Sequence, residues 1–199
     1  MASIAYAHPP TCSPVSGGAG PRALREAAER YAARGWRVLP GPVSDGIATR
    51  HPVTFKPLRS WEAAADVSAA TAEPRRIREW WSRHAHTILA QTGRQFDVLR
   101  TPTLLGWQAM AAFGGGHPLG PVATSPQGVF FFVKAGSSLK RELGNVAGVE
   151  LVQAGTLVAL PPSRAVSGAV SWRIQPEDIE DLGDCDEIQD KLAELAADR

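Results

Sequence analysis

Short strand-type segments follow one another through the second half of the chain, and this order limits the folds open to it. The segments are rich in Val, Leu and Phe, are separated by turn residues, and span residues 122–124, 129–133, 149–152, 157–160 and 170–174. This length and composition are typical of β-strands. Helical periodicity is concentrated before residue 114. Helices that precede consecutive strands predict an α+β fold rather than a regular alternation of strands and helices.

The first half of the chain contains three predicted helices and three predicted short strands. A Pro residue occupies the first turn of each helix, and Gly follows the first and the third, as is usual at helix ends. The predicted helices span residues 21–34, 74–84 and 102–113. The predicted strands span residues 36–39, 88–91 and 96–99, and a Pro-Gly-Pro sequence is expected to end the first of them.

Charge divides the chain of 199 residues into a basic body and an acidic end. Residues 177–199 hold ten acidic and two basic side chains, a net charge of −8, which leaves +9 on residues 1–176. We expect a flexible leader over 1–20, one domain over 21–176 and an acidic C-terminal helix or tail over 177–199. A basic body favours polyanions such as nucleic acid or nucleotides. The acidic end either improves solubility or competes for the same basic surface.

Cysteine usage and hydropathy exclude several classes of protein. The two cysteines, Cys12 and Cys185, cannot supply a disulfide framework or a four-cysteine zinc site. No stretch approaches the about 18 apolar residues of a membrane span, and the first residues lack the pattern of a signal peptide. We therefore expect a soluble cytoplasmic protein with no membrane partner. His84 and His86 lack a third ligand at suitable spacing, so we expect no metal site there.

Six segments in sequence order carry a further signal. They are AERYAARGWRVLP at 28–40, KP at 56–57, AAT at 69–71, IREWW at 77–81, ILAQTGRQFDVL at 88–99 and GVELVQAGTLVALPPS at 148–163. Their order and spacing resemble the N-terminal domain of bifunctional DNA primase/polymerases, the prim-pol family. The resemblance covers roughly residues 22–174 and closes on Trp172.

The resemblance implies an archaeo-eukaryotic primase type of core, an RRM-like α+β unit with a mixed sheet flanked by helices. It also implies template-directed nucleotidyl transfer, in which two divalent cations stabilise the charge on the transferred phosphate. In the family, an Asp-x-Asp pair on one strand and a third Asp on a neighbouring strand hold the cations, and a His contacts the nucleotide's phosphates. Residues i and i+2 of a strand point to the same face, which lets the Asp pair share its metals.

This chain departs from the family pattern at several of those positions. Asp97 corresponds to the first carboxylate, and Leu99 stands at the second. Glu150 corresponds to the third carboxylate, and Val129 stands nearest to the His position. We therefore expect a degenerate site. Asp97 and Glu150 are the candidate catalytic and metal-binding residues, holding Mg²⁺ or Mn²⁺ if the protein is active. The alternative is that both acids are solvated or pair with Arg94 or Arg100.

The favoured function is a prim-pol-type protein linked to DNA replication, weakened or inactive in polymerisation, that binds nucleic acid or nucleotide. Arg94, Arg100 and Lys134 are the candidate contacts to that ligand. Its expected partners are DNA or nucleotides and a replicative helicase or other replication protein. One alternative is an active template-directed nucleotidyltransferase that uses Asp97 and Glu150. The other is a non-catalytic protein-interaction module that has kept only the fold.

Overall fold

The computed structural model describes residues 19–44, 48–51, 56–58, 66–82, 84–114, 119–165, 168–179 and 181–197. Within these ranges the helices are α1 (Pro21–Ala33), α2 (Pro74–Trp80), α3 (Thr103–Ala112) and α4 (Cys185–Ala197). None of these helices is both long enough and apolar enough to cross a membrane. The strands are β1 (Val38–Ser44), β2 (Thr49–Arg50), β3 (His86–Gln91), β4 (Phe96–Thr101), β5 (Val122–Ser125), β6 (Gly128–Lys134), β7 (Glu150–Val152), β8 (Leu157–Leu160), β9 (Arg164–Ala165), β10 (Gly168–Ala169) and β11 (Ser171–Ile174). The expected leader falls mostly on residues 1–18, which lie outside the described ranges.

The described strands form two larger sheets and one small hairpin. Strand order is β2-β1-β3-β8 in the four-stranded sheet and β11-β5-β6-β4-β7 in the five-stranded sheet, while β9 pairs with β10. Each of these strand pairings is antiparallel. The predicted α+β class is therefore confirmed. The expected mixed sheet is corrected to two antiparallel sheets, because tight turns such as that between β5 and β6 permit only antiparallel pairing.

Two hydrophobic clusters lie on opposite faces of the five-stranded sheet. The first cluster joins α1, α2 and the four-stranded sheet to one face, and Trp36 lies among its aromatic rings. The ring centroid of Trp36 is 5.6 Å from that of Tyr31, 4.6 Å from that of Phe96 and 5.5 Å from that of Phe132. The second cluster joins α3 and α4 to the other face and includes Leu99. Side chains alternate along a strand, so successive residues of β4 enter different clusters.

Most elements begin and end within two residues of their predicted bounds, with two larger differences. β1 continues through the Pro-Gly-Pro sequence that was expected to end it and reaches Ser44. Its pairing with β3 shifts between Pro40 and Val43, so an irregularity absorbs the residues that cannot donate a ladder hydrogen bond. α2 ends at Trp80 instead of continuing to residue 84.

The acidic C-terminal segment contains a helix that packs as part of the domain. α4 buries Ile188 and Leu192 in the second cluster. The buried Gln189 side chain accepts a hydrogen bond from the Lys140 backbone N–H at 2.7 Å and donates one to the Ser138 carbonyl at 2.9 Å. The apolar face of this helix is therefore covered by the domain itself.

Gly106 sets how closely α3 approaches the five-stranded sheet. A Cβ atom at this position would lie 2.4 Å from the Val129 Cβ and 2.5 Å from the Thr101 Oγ1. Both distances are well below ordinary van der Waals contact, so a larger residue would push the helix away from the sheet. This close contact helps to cover the α3 side of β4 and β6.

Candidate functional site

Asp97 and Leu99 lie on the face of β4 that packs against α3 and α4. In the register with β6, Asp97 lies opposite Val133 and Leu99 lies opposite Phe131. Leu99, Phe131 and Val133 all belong to the second cluster. Leu99 is fully buried, and Asp97 is 1% exposed. The two side chains share a face, as expected, and helices seal that face from solvent.

The Asp97 carboxylate supports the turn that follows β6. Its Oδ2 atom accepts a hydrogen bond from the Gly136 backbone N–H at 2.9 Å, and Gly136 has a φ of 92°. Its Oδ1 atom is buried, and among the described residues no hydrogen-bond partner for it is present. A buried carboxylate is costly unless hydrogen-bond donors satisfy it. Asp97 is therefore tied to a turn and is not placed to reach a nucleotide in the cleft described below.

Glu150 lies on the opposite face of the sheet from Asp97. In the register between β4 and β7, Glu150 lies opposite Arg100, and the two side chains form an ion pair. Paired residues of neighbouring strands project to the same face, whereas side chains an odd number of residues apart project to opposite faces. The expected Asp97–Glu150 metal pair is therefore not formed, because the sheet separates the two carboxylates. Pairing with an arginine, the alternative left open by the sequence, is what Glu150 adopts.

Arg100 and Glu150 line a cleft of about 180 Å³ between the two sheets. The apolar part of its lining comes from β4, β6 and β7 of the five-stranded sheet and from β3 and β8 of the four-stranded sheet. The polar lining residues are Arg100, Gln127, Glu150 and Thr156. The side chains of Arg100 and Glu150 are 35% and 53% exposed. The cleft thus combines apolar walls with an accessible guanidinium and an accessible carboxylate.

The residues that line the cleft do not fit a pair of divalent cations. Such a pair needs several hard oxygen ligands, normally including carboxylates. The β4 side chains in the lining are Val98 and Arg100, and Glu150 supplies its carboxylate. In the part of the chain that the structure describes, no group of three or more His, Cys, Asp or Glu side chains could hold a metal ion. On the cleft face of β4, the positive charge is that of the Arg100 guanidinium.

The residue nearest to the family's His position faces α3, and the next residue faces the cleft. Val129, the residue nearest to that position, belongs to the second cluster beside α3. Its neighbour Phe130 lines the cleft and is almost fully buried. Phe130 therefore adds apolar surface to the cleft and no hydrogen-bonding group.

The other two predicted contacts to nucleic acid or nucleotide, Arg94 and Lys134, lie away from Arg100. Lys134 pairs with Phe96, the first residue of β4, and Arg94 belongs to the turn just before that residue. Arg100 lies four positions beyond Phe96 along the strand, a distance of about 13 Å. Arg94 and Lys134 are both exposed. The structure brings these two basic residues to one end of β4 and leaves Arg100 near the other.

His84 and His86 lie at the beginning of β3, with their ring centroids 5.5 Å apart. Burial, with a smaller contribution from His84, lowers the pKa of His86 to about 4, so its imidazole is uncharged at neutral pH. The Trp81 indole N–H donates a hydrogen bond to the His86 carbonyl at 2.8 Å. These contacts are those of a histidine packed in a core.

Sequence reasoning missed two polar residues of the cleft and one exposed aromatic residue. Gln127 lies in the turn between β5 and β6, and Thr156 directly precedes β8. A single sequence carries no signal for a contact between turns of different sheets. The indole of Trp107 on α3 is partly exposed. The sequence does carry a signal for this exposure. Because α3 has no charged residue, its solvent-facing side must include apolar side chains.

Comparison with known proteins agrees with this architecture. No curated protein matches the chain at a significant level. The family model described as bifunctional DNA primase/polymerase, N-terminal, matches residues 28–187, which is more than half of the chain and includes every residue that lines the cleft. The chain therefore belongs to the family of bifunctional DNA primase/polymerase N-terminal domains.

Proposed function

We propose that this domain acts in DNA replication, in the cytoplasm, as a prim-pol family member that binds nucleic acid or nucleotide without polymerising it. The observation that carries the proposal is the ion pair of Arg100 and Glu150 in the cleft between the sheets. A guanidinium matches the geometry of phosphate oxygens and keeps its charge at every physiological pH. Arg100 is thus the proposed phosphate contact, with DNA, nucleotides and replication proteins such as a helicase as the proposed partners.

Arg100 has unused capacity for a phosphate group. A guanidinium carries several N–H donors in a planar fork, and among the described residues Arg100 makes one side-chain hydrogen bond, to Glu150 Oε2. Exposed ion pairs contribute only about 0–1 kcal/mol to stability. A phosphate can therefore join or displace the Glu150 carboxylate at little cost. Leu157, the partly buried residue among the mostly buried apolar lining, offers contact area for a base or sugar.

Two-metal nucleotidyl transfer has little support from the residues of this cleft. The reaction needs two cations about 3.5–4 Å apart, held by several oxygen ligands. Glu150 is already paired with Arg100, and Asp97 lies behind the sheet. An enzyme that used both carboxylates would have to bring Asp97, on a strand paired with β6 and β7, and Glu150, on the edge strand β7, to the same face of the sheet. Metal-independent binding is the activity that the arrangement favours.

The size of the ligand decides which of the predicted basic residues take part. Arg94 and Lys134 lie at the other end of β4, about 13 Å along the strand from Arg100, so one phosphate group cannot contact all three residues. A nucleic-acid strand is long enough to contact all three. Arg94 and Lys134 therefore enter the proposal as additional contacts to a strand and not as part of the mononucleotide site.

Binding of deoxythymidine triphosphate in buffer that contains EDTA tests this function, with isothermal titration calorimetry as the measurement. Arg100→Ala should raise Kd about tenfold or more, because a hydrogen bond to a charged group contributes about 1.5–3 kcal/mol. Glu150→Gln should lower Kd several-fold, because it removes a negative charge that competes for Arg100 and repels the phosphates.

Arg75→Ala is the matched control, since Arg75 is exposed on α2 and does not line the cleft. It removes the same charge and should leave Kd within about twofold of the wild-type value. The proposal fails if Arg100→Ala and Arg75→Ala have equal effects, or if the nucleotide binds only when Mn²⁺ or Mg²⁺ is added.

A further inference from the structure

α3 leaves two large apolar side chains partly in solvent. Leu104 is 63% exposed and Trp107 is 39% exposed. They are three residues apart, so they lie on the same side of the helix. No charged residue occurs between Thr103 and Ala112. Neighbouring exposed apolar side chains on one helix face often mark a surface that binds a partner.

Arg173, which contacts Trp107, lies at an irregularity in the pairing of β11 with β5. β11 is an edge strand of the five-stranded sheet, and its pairing with β5 shifts between Trp172 and Ile174. Arg173 is the extra residue at that shift, where a strand can redirect a side chain. The Arg173 Cζ atom lies 4.9 Å from the centroid of the Trp107 ring. A guanidinium is therefore stacked on a partly exposed indole.

Acidic residues are absent from the segments that build this surface. Residues 102–130 contain no Asp, Glu, Lys or Arg, and residues 163–174 contain Arg164 and Arg173 but no acid. The acidic helix α4 also packs with α3. The positive charge shown beside α3 is that of Arg173, on the β11 side of the helix. The charge of these segments is complementary to a polyanion.

We infer that Leu104, Trp107 and Arg173 form a docking surface for single-stranded nucleic acid. A base stacks on the Trp107 ring and Arg173 pairs with an adjacent phosphate, a combination used by proteins that bind single strands. This inference rests on the proposed function, in which the domain binds nucleic acid. Because α3 lies on the face of the five-stranded sheet opposite to the cleft, the surface is a second, separate contact site. A protein partner would also cover Leu104 and Trp107, but an aromatic ring beside a guanidinium is the arrangement that favours a single nucleic-acid strand.

Fluorescence anisotropy of a fluorescein-labelled oligothymidylate tests the inference. Trp107→Ala should raise Kd about 5- to 150-fold, the range measured for loss of one base stacked on an aromatic ring. Trp107→Phe keeps a ring and should restore most of the affinity. Arg173→Gln should reduce the slope of log Kd against log salt by about 0.7, the value for one phosphate contact on a single strand. Arg75→Ala should leave both the affinity and the slope unchanged.

Deoxythymidine triphosphate binding separates failure of the inference from failure of the proposed function. All Trp107 and Arg173 variants should bind the mononucleotide like the wild-type protein, because neither residue lines the cleft. If Trp107→Ala and Arg173→Gln bind the oligonucleotide like the wild type, the docking surface is disproved, whatever Arg100→Ala does to the mononucleotide.

Sedimentation measures whether the surface binds a second copy of the chain instead. A concentration-dependent dimer that is lost in Trp107→Ala, with oligonucleotide affinity unchanged, would assign the surface to that second copy. Thermal unfolding of each variant shows whether it is folded. If Trp107→Ala is unfolded, the effect of Arg173→Gln on oligonucleotide binding decides whether the docking surface exists.

Discussion

Leu99→Asp, which creates an Asp-x-Asp sequence with Asp97, should strongly destabilise the domain instead of rebuilding a metal site. Leu99 is fully buried in the cluster between the five-stranded sheet and α3 and α4. A second carboxylate in that cluster, beside buried Asp97, should lower the free energy of unfolding by at least about 4 kcal/mol. This is a large share of the about 5–15 kcal/mol that stabilises a typical domain. Urea unfolding followed by circular dichroism measures the loss.

Arg100→Asp is the matched control for this substitution, because it puts the same side chain at the next position of β4. Arg100 faces the cleft and is partly exposed, so this variant should lose only about 1 kcal/mol through the lost ion pair and repulsion from Glu150. The account would be contradicted if Leu99→Asp unfolded at the wild-type urea midpoint and incorporated nucleotides with Mn²⁺. That result would place a catalytic face on the side of the sheet that packs against α3 and α4.

Removal of residues 184–199 should abolish cooperative unfolding of the domain. Ile188 and Leu192 are fully buried, and truncation of either side chain to Ala alone should cost about 2–5 kcal/mol. Loss of Gln189 also leaves the Lys140 N–H without its side-chain acceptor. Together these losses match or exceed the usual net stability of a domain. Differential scanning calorimetry should show no unfolding peak for the truncated chain.

Glu187→Gln separates the packing of α4 from its charge. Glu187 is exposed in the first turn of the helix, so the variant removes one negative charge and leaves the buried face intact. It should cost less than about 1 kcal/mol, the usual size of an interaction between a charge and a helix terminus. A truncated chain that unfolded cooperatively at the wild-type temperature would show that residues 184–199 are only an appended tail.

The pattern of apolar residues was sufficient to predict the fold class and most elements. β8 begins and ends at its predicted residues, and α1 differs by one residue at its end. β2, β9 and β10 were not predicted, because strands of two residues are stabilised by their pairing and leave no periodic pattern. β1 passes through two prolines because the irregular pairing near Pro40 relieves the need for their missing N–H groups.

The candidate site was harder to predict, because its chemistry depends on which residues of a strand share a face. Similarity of sequence assigned Asp97 to the catalytic face of β4. The register with β6 and β7 instead places Val98 and Arg100 beside the cleft. Register is determined by neighbouring strands, and a shift of one residue exchanges the two faces. Glu150 stays a predicted site residue until ligand binding is measured. In the structure its side chain pairs with Arg100.

Template-dependent primer extension in Mn²⁺, by the wild-type protein and by Asp97→Asn, tests the central claim most directly. The account predicts that neither protein extends the primer above a blank without protein, because Leu99 stands at the second carboxylate position, Glu150 is paired with Arg100 and Asp97 lies behind the sheet. Extension by the wild-type protein that is lost in Asp97→Asn, with both proteins equally folded, would contradict it.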